Sequence, residues 1–269
     1  MQSLAKAFGR SANTGRPLPD VYTNFAAAKV YFRLSGTSMI AGAPGSFKSC
    51  LAINLLTRWA QQGVFGLYFS ADADEFTTAK RAAAILTGQA VETVEAGMRG
   101  ASASYYRDAL RQLENTRWVY KASDIEDIDR HMRGFEDVYG SFPHVVFIDN
   151  LLNMSEASED WAAAREMIRN LDILAREAEC HVCVLHHTTE NSYTPGVPPP
   201  RSALLGKIAQ FPRLILTVGA NESTLNVAVV KNTNGPQDAS AKQFFPLIVD
   251  GAKMTISDSG YYRQLQITQ

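Results

Sequence analysis

One segment constrains this chain more than any other: Gly42-Ala43-Pro44-Gly45-Ser46-Phe47-Lys48-Ser49. It follows a short apolar run, Ser38-Met39-Ile40-Ala41, and opens a stretch of apolar periodicity from Cys50 to Trp59. That pattern predicts a strand, a glycine-bearing loop and the start of a helix. A helix N-terminus presents unpaired N–H groups and a partial positive charge, so a loop feeding it can cradle phosphate oxygens. In the phosphate-binding pattern G-x-x-x-x-G-K-[ST], the lysine reaches the outer phosphates and the hydroxyl meets Mg²⁺. Those roles fall here on Lys48 and Ser49. Lys48 is expected to be an exposed phosphate ligand rather than a core residue. Phe47 stands where the pattern has its second glycine, which leaves Gly45 as the flexible position. The alternative is an ordinary Gly/Pro/Ser turn ahead of a helix.

Other apolar runs end in polar residues in a way that suits the same site. Gly63 to Ser70 reads as a buried parallel strand, and Ala71-Asp72-Ala73-Asp74-Glu75 follows it. Ligands of open α/β sheets sit outside the carboxyl ends of strands, so these acids project toward the phosphate loop, or Asp72 or Asp74 caps the next helix. Pro143 to Asn150 is another such strand, delivering Asp149 as a rigid carboxylate for Mg²⁺ or as a helix cap. An amphipathic segment from about Asp160 to Cys180 leads into a third run, His181 to Glu190. Neighbouring strand residues face opposite ways, so His186 and His187 cannot easily share one ion. One of them senses phosphate or bound water; the other packs or faces a neighbouring subunit.

Helical periodicity recurs at 91–98, 103–114 and 125–139, with a short strand around Trp118 to Tyr120. Arg213–Val218 and Leu225–Val230 alternate as strands do. Phe244–Val249 and Met254–Ile256, joined through Asp250-Gly251, predict a terminal hairpin. Asn191 to Arg201 is too proline-rich for helix or strand and reads as a loop. The fold class is therefore α/β: a mostly parallel sheet flanked by helices, with a C-terminal antiparallel strand extension. Residues 1–34 are expected to form an N-terminal arm or oligomerisation segment, and 35–269 the main domain. Within the arm, Lys6, Arg10 and Arg16 are candidate DNA contacts or a solvated tail. Phe25-Ala26-Ala27-Ala28 has the F-x-x-A form of a subunit-docking motif, although a short helix packing Phe25 and Tyr31 on the core explains it as well.

With a net charge of -1 over 269 residues, the chain has no bulk electrostatic footprint for nucleic acid, so any such contact rests on locally clustered Lys and Arg. Three cysteines, Cys50, Cys180 and Cys183, give no disulfide framework and suit buried thiols in a reducing compartment; Cys180 and Cys183 lack the second pair a zinc site needs. No apolar run of spanning length is present, which points to no membrane partner and a cytoplasmic location.

Taken together, these motifs resemble the RecA/DnaB-like P-loop ATPases, in particular the single-domain forms of phages and plasmids that include hexameric replicative helicases and recombinase cores. The resemblance runs from about Ser35 to Val249. It implies ATP and Mg²⁺ as cofactors, with Gly42 to Ser49 on the nucleotide and Ser49 and Asp149 on the metal. It implies that Asp72 activates the attacking water, with Glu75 as the alternative acid, and that His187 occupies the sensor position. Lys231-Asn232-Thr233-Asn234-Gly235-Pro236 resembles the family's basic finger, which reaches a neighbour's nucleotide. Lys231 is retained, whereas Thr233 replaces the arginine and Arg201 or Arg213 could substitute for it. The resemblance further implies single-stranded DNA as partner, bound by loops at Leu151–Glu159 and Asn191–Arg201 with Tyr193 and Arg201. It also implies a homo-oligomer, a hexameric ring or a filament, in the cytoplasm of a phage or plasmid host. Helicase leads among the activities. A recombination mediator or annealing ATPase is one alternative. A nuclease holding metal ions with Asp72, Asp74, Glu75 and Asp149 is another.

Overall fold

The computed structural model describes residues 14–154, 160–189 and 194–260. The expectations placed on Lys6, Arg10 and Tyr193 lie outside these residues. Nine strands form one sheet in the order β3-β2-β4-β5-β1-β6-β7-β8-β9. β1 (Gly36–Gly42), β2 (Gly66–Ser70), β3 (Thr116–Val119), β4 (Val145–Asp149), β5 (His181–His187) and the start of β6 (Leu214–Ala220) run parallel. β7 (Thr224–Asn232), β8 (Phe244–Asp250) and β9 (Thr255–Asp258) continue the sheet antiparallel, as the alternating C-terminal pattern predicts. The strands lie within one to three residues of their expected bounds. β1 and β6 are buried at every position, the mark of strands covered on both faces.

Apolar residues alternate between the two faces and seed two cores. On one face, Ile40, Tyr68, Phe147 and Leu185 pack against Leu51, Leu55 and Trp59 of helix α2 (Lys48–Gln61). On the other, Met39, Phe69, Ile148 and Val184 pack against Ile128 and Met132 of α4 (Ile125–Tyr139) and Met167, Ile168 and Leu171 of α5 (Trp161–Glu177). A third, smaller cluster joins Ala83, Ala84, Val94 and Tyr106 of helices Glu75–Thr87, Val91–Met98 and Ala103–Leu110. We call Glu75–Thr87 α3; α1 is the short helix Thr23–Ala27.

The N-terminal segment belongs to the first core. Leu18, Tyr22, Phe25, Val30 and Phe32 are buried there, and the Trp59 indole N–H donates to the Pro19 carbonyl at 2.8 Å. Phe25 is 3% exposed, with its ring edge-on to Tyr22 and Phe245, so it is unavailable for docking in F-x-x-A fashion on a neighbour; Tyr31 is only partly covered.

Candidate nucleotide site

β1 ends at Gly42, and α2 begins six residues later at Lys48. A Cβ at Gly42 would stand 2.5 Å from Ser46 Oγ and 2.8 Å from the Val218 carbonyl oxygen, so only glycine lets the loop fold back this tightly. Gly45 has φ of 75°, the left-handed value expected of it, yet Phe47 also takes φ of 62°. The second-glycine position has thus kept its backbone conformation without its glycine, at a cost of about 1–2 kcal/mol. In return the ring is half-buried on the first core, where a Cβ added at Gly251 in the β8–β9 turn would stand 3.7 Å from it. Phe47 offers α2 no side-chain cap and the first turn carries no acid, which leaves the leading N–H groups free for an anion.

Lys48 corrects the sequence-based expectation. It is 7% exposed, and its Nζ donates to the carbonyls of Gly42 at 3.0 Å and Ala43 at 2.8 Å. Burial lowers its pKa to about 8, against the opposing pull of Asp149. An ammonium held by neutral carbonyls in a buried loop lacks an anionic partner, which a phosphate supplies.

β4 places Asp149 opposite the start of α2. Its Oδ2 accepts from the Tyr68 hydroxyl at 2.6 Å, and the Ser49 hydroxyl lies near enough to help hold its pKa down. Burial raises the pKa of Asp149 despite both donors, and Asp72 adds to the rise. A hydroxyl beside a carboxylate is a hard oxygen pair of the kind Mg²⁺ accepts while keeping its waters and phosphate ligands, so the residues present fit that ion.

Of the acids after β2, Asp72 lies at this site and Asp74 and Glu75 do not. Asn150 Nδ2 donates to Asp72 Oδ2 at 3.0 Å, and Asn153 Nδ2 donates to Asp72 Oδ1. Asp74 caps α3, accepting from the Thr77 N–H at 2.8 Å and hydroxyl at 2.7 Å. Glu75 lines a separate cavity of about 530 Å³ with Leu67, Val119, Tyr120 and His131, over the face that α4 covers. Glu75 is therefore not brought together with Lys48 and Asp149. Among the described residues no three His, Cys, Asp or Glu side chains gather as a metal cluster, so the four-carboxylate nuclease site does not assemble.

The paired histidines separate as strand geometry requires. His187 lies on the P-loop side: burial lowers its pKa, the Lys48 charge lowers it further, and Asp72 and Asp149 oppose. Its Nδ1 is buried with no hydrogen-bond partner among the described residues. His186 turns to the other face, where its Nε2 donates to the Leu205 carbonyl at 3.1 Å and burial lowers its pKa to about 4. Lys231 stands away from this cluster. It pairs with Ile215 near the start of β6, and its Nζ donates to the carbonyls of Ala209 at 2.8 Å and Gln210 at 2.9 Å. Sequence reasoning missed Tyr68, Asn150 and Asn153. Tyr68 shares the face of Asp149 by strand parity, a signal that was available; the two asparagines depend on the fold of a short turn.

Comparison with known proteins agrees with this architecture. A family model described as an AAA domain matches residues 10–192. The Gene 65 protein of Mycobacterium phage L5 is 30% identical over 260 residues, spanning 93% of this chain and 96% of its own. A DnaB-like replicative helicase, solved in a study of its interactions with primase, superimposes with a TM-score of 0.79 at 15% identity, covering 95% of this chain and 66% of that one. A KaiC-like protein from Pyrococcus horikoshii OT3 gives 0.63 at 11% identity, covering 90% and 98%.

Proposed function

We propose, on the premise that this chain belongs to the AAA domain family and has the fold of the RecA/DnaB-like P-loop ATPases, that it is an ATP-hydrolysing motor on single-stranded DNA, working as a hexameric ring in phage or plasmid replication. The observation that carries the reading is convergence: Lys48, Ser49, Asp149 and Asp72 reach one edge of the sheet from three separate strand ends. Lys48 and the loop from Gly42 to Ser49 bind the phosphates. Ser49 and Asp149 hold Mg²⁺, which when bound neutralises charge building on the transferred phosphoryl group. Asp72 orients and deprotonates the attacking water, His187 senses the outer phosphate through an Nδ1 that has no partner among the described residues, and Lys231 serves a neighbouring subunit. The segment 1–34 serves subunit contact, and its described part packs on the first core through Leu18, Tyr22 and Phe32. The site of action is the host cytoplasm; among the described residues no helix is long and apolar enough to cross a membrane.

A second reading, an annealing or recombination-mediator ATPase in which ATP switches DNA affinity, draws support from one departure. Thr233 replaces the finger arginine, and its hydroxyl donates to the Arg213 carbonyl at 3.0 Å. Loss of a trans arginine slows phosphoryl transfer by orders of magnitude.

One experiment tests the main reading: ATP turnover and particle mass, each with and without single-stranded DNA, alongside unwinding of a forked duplex. Expected are DNA-stimulated turnover, a six-subunit particle and strand displacement, all lost in Lys48→Met. Unchanged ATP affinity in folded Lys48→Met overturns the phosphate-loop assignment, and annealing without displacement selects the second reading.

A further inference from the structure

The turn Leu151–Asn153 follows Asp149 and Asn150 directly, and it supplies one of the two amides that hold Asp72. The two amides differ. Asn150 is 4% exposed and tied at both ends: its Nδ2 donates to Asp72 Oδ2, and its Oδ1 accepts from the Leu152 N–H at 3.0 Å. It cannot turn away without undoing the turn it caps. Asn153 is half-exposed at the end of that turn, and among the described residues its side-chain amide holds the other carboxylate oxygen, Oδ1. Asp72 itself is exposed, so Oδ1 is open to solvent except where Asn153 covers it.

A carboxylate acts as a base through an oxygen that a water can approach, and an amide on that oxygen competes with the water for it. A fixed amide on the other oxygen has the opposite effect, because it holds the carboxylate in one orientation at no cost during reaction. Given that Asp72 is the base, as proposed above, we infer that Asn150 and Asn153 are positioning residues of opposite sense. Asn150 aims Asp72; Asn153 restrains it and must release Oδ1 before water is activated. The pair makes the turn after Asp149 a control point on turnover, separate from nucleotide binding, because neither amide reaches Lys48 or the phosphate loop.

The test is steady-state ATP turnover and ATP-analogue affinity in wild type, Asn150→Ala, Asn153→Ala and Asp72→Asn, with melting temperatures to establish folding. Asn153→Ala should raise kcat by about threefold to tenfold, the scale of one hydrogen bond, at unchanged KM. Asn150→Ala should lower kcat by about tenfold or more, also at unchanged affinity. The gain in Asn153→Ala should vanish when combined with Asp72→Asn. A purely structural role lowers both and raises neither. Equal or reduced turnover in folded Asn153→Ala, while Asp72→Asn is inactive, overturns the restraint and leaves the base intact. Normal turnover in Asp72→Asn instead removes the base, and the inference with it. Asn153→Ser, which keeps a polar but shorter side chain, should behave as Asn153→Ala does; wild-type turnover there also overturns the restraint.

Discussion

Tyr68 donates its hydroxyl to Asp149 Oδ2 at 2.6 Å across two neighbouring parallel strands. The tyrosine is 1% exposed, and burial pushes its own ionisation well above the ordinary range, so it stays a donor at any working pH. Its bond holds the Asp149 pKa down while burial pushes it up. Tyr68→Phe should let that pKa rise further. The acid limb of Mg²⁺-dependent nucleotide binding then moves to higher pH, and stability falls by about 1 kcal/mol for the lost buried bond. Titrating a fluorescent ATP analogue across pH in the two proteins checks this; superimposable limbs remove Tyr68 from the metal side of the site.

The frame of the molecule was legible because its strands are buried runs bounded by glycine and acids, and because a strand, a Gly-rich loop and a helix in sequence leave few alternatives. The site was legible wherever a residue is fixed to a strand end, as Asp149 and His187 are. It was not legible where the side chain chooses between partners. Lys48 looks like an exposed ligand in sequence, but its Nζ folds onto the Gly42 and Ala43 carbonyls. Asp72, Asp74 and Glu75 look interchangeable, and only the start of α3 separates them by taking Asp74 as its cap and turning Glu75 toward another cavity.

Lys48 makes nucleotide binding and folding depend on pH in opposite ways. Its pKa of about 8 in the folded protein means that above pH 8 the ammonium is lost unless phosphate retains it. ATP affinity should therefore fall as pH rises beyond about 8, approaching tenfold per unit. The unfolded chain keeps this proton up to the ordinary lysine value of 10.5, so between about 8 and 10.5 it binds more protons than the folded one. Stability from this group rises with pH across that window, by a few kcal/mol in all. Isothermal titration and chemical denaturation across pH check both, with Lys48→Met as the reference that should lack both slopes.

Asp74 offers a control that separates capping from chemistry. It accepts two hydrogen bonds from Thr77 and these lower its pKa, although it is fully exposed. Asp74→Ala should destabilise the fold through loss of the α3 cap, with ATP turnover per folded molecule unchanged. Denaturant melts and turnover on the same samples decide it. A large loss of turnover at normal stability would move the catalytic acid from Asp72 to Asp74.

Lys231 tests the assembly. Two carbonyls of its own chain hold its Nζ toward the amino end of β6, while β1 delivers the phosphate loop at its carboxyl end, so Lys231 cannot serve the nucleotide of its own subunit without leaving both partners. Burial lowers its pKa, and the nearby Arg201 lowers it further, so the charge is held in place at a cost that an anionic neighbour would relieve. On the proposed reading, that neighbour is the phosphoryl group in transfer across a subunit boundary. Lys231→Ala should bind ATP nearly as wild type yet turn over at least about tenfold more slowly. Mixing it with Lys48→Ala protein should restore part of the activity, because some interfaces then pair an intact loop with an intact lysine. Wild-type turnover in Lys231→Ala, or full activity in isolated monomers, removes the finger in trans and leaves Lys231 as a strand-end lysine bound to its own backbone.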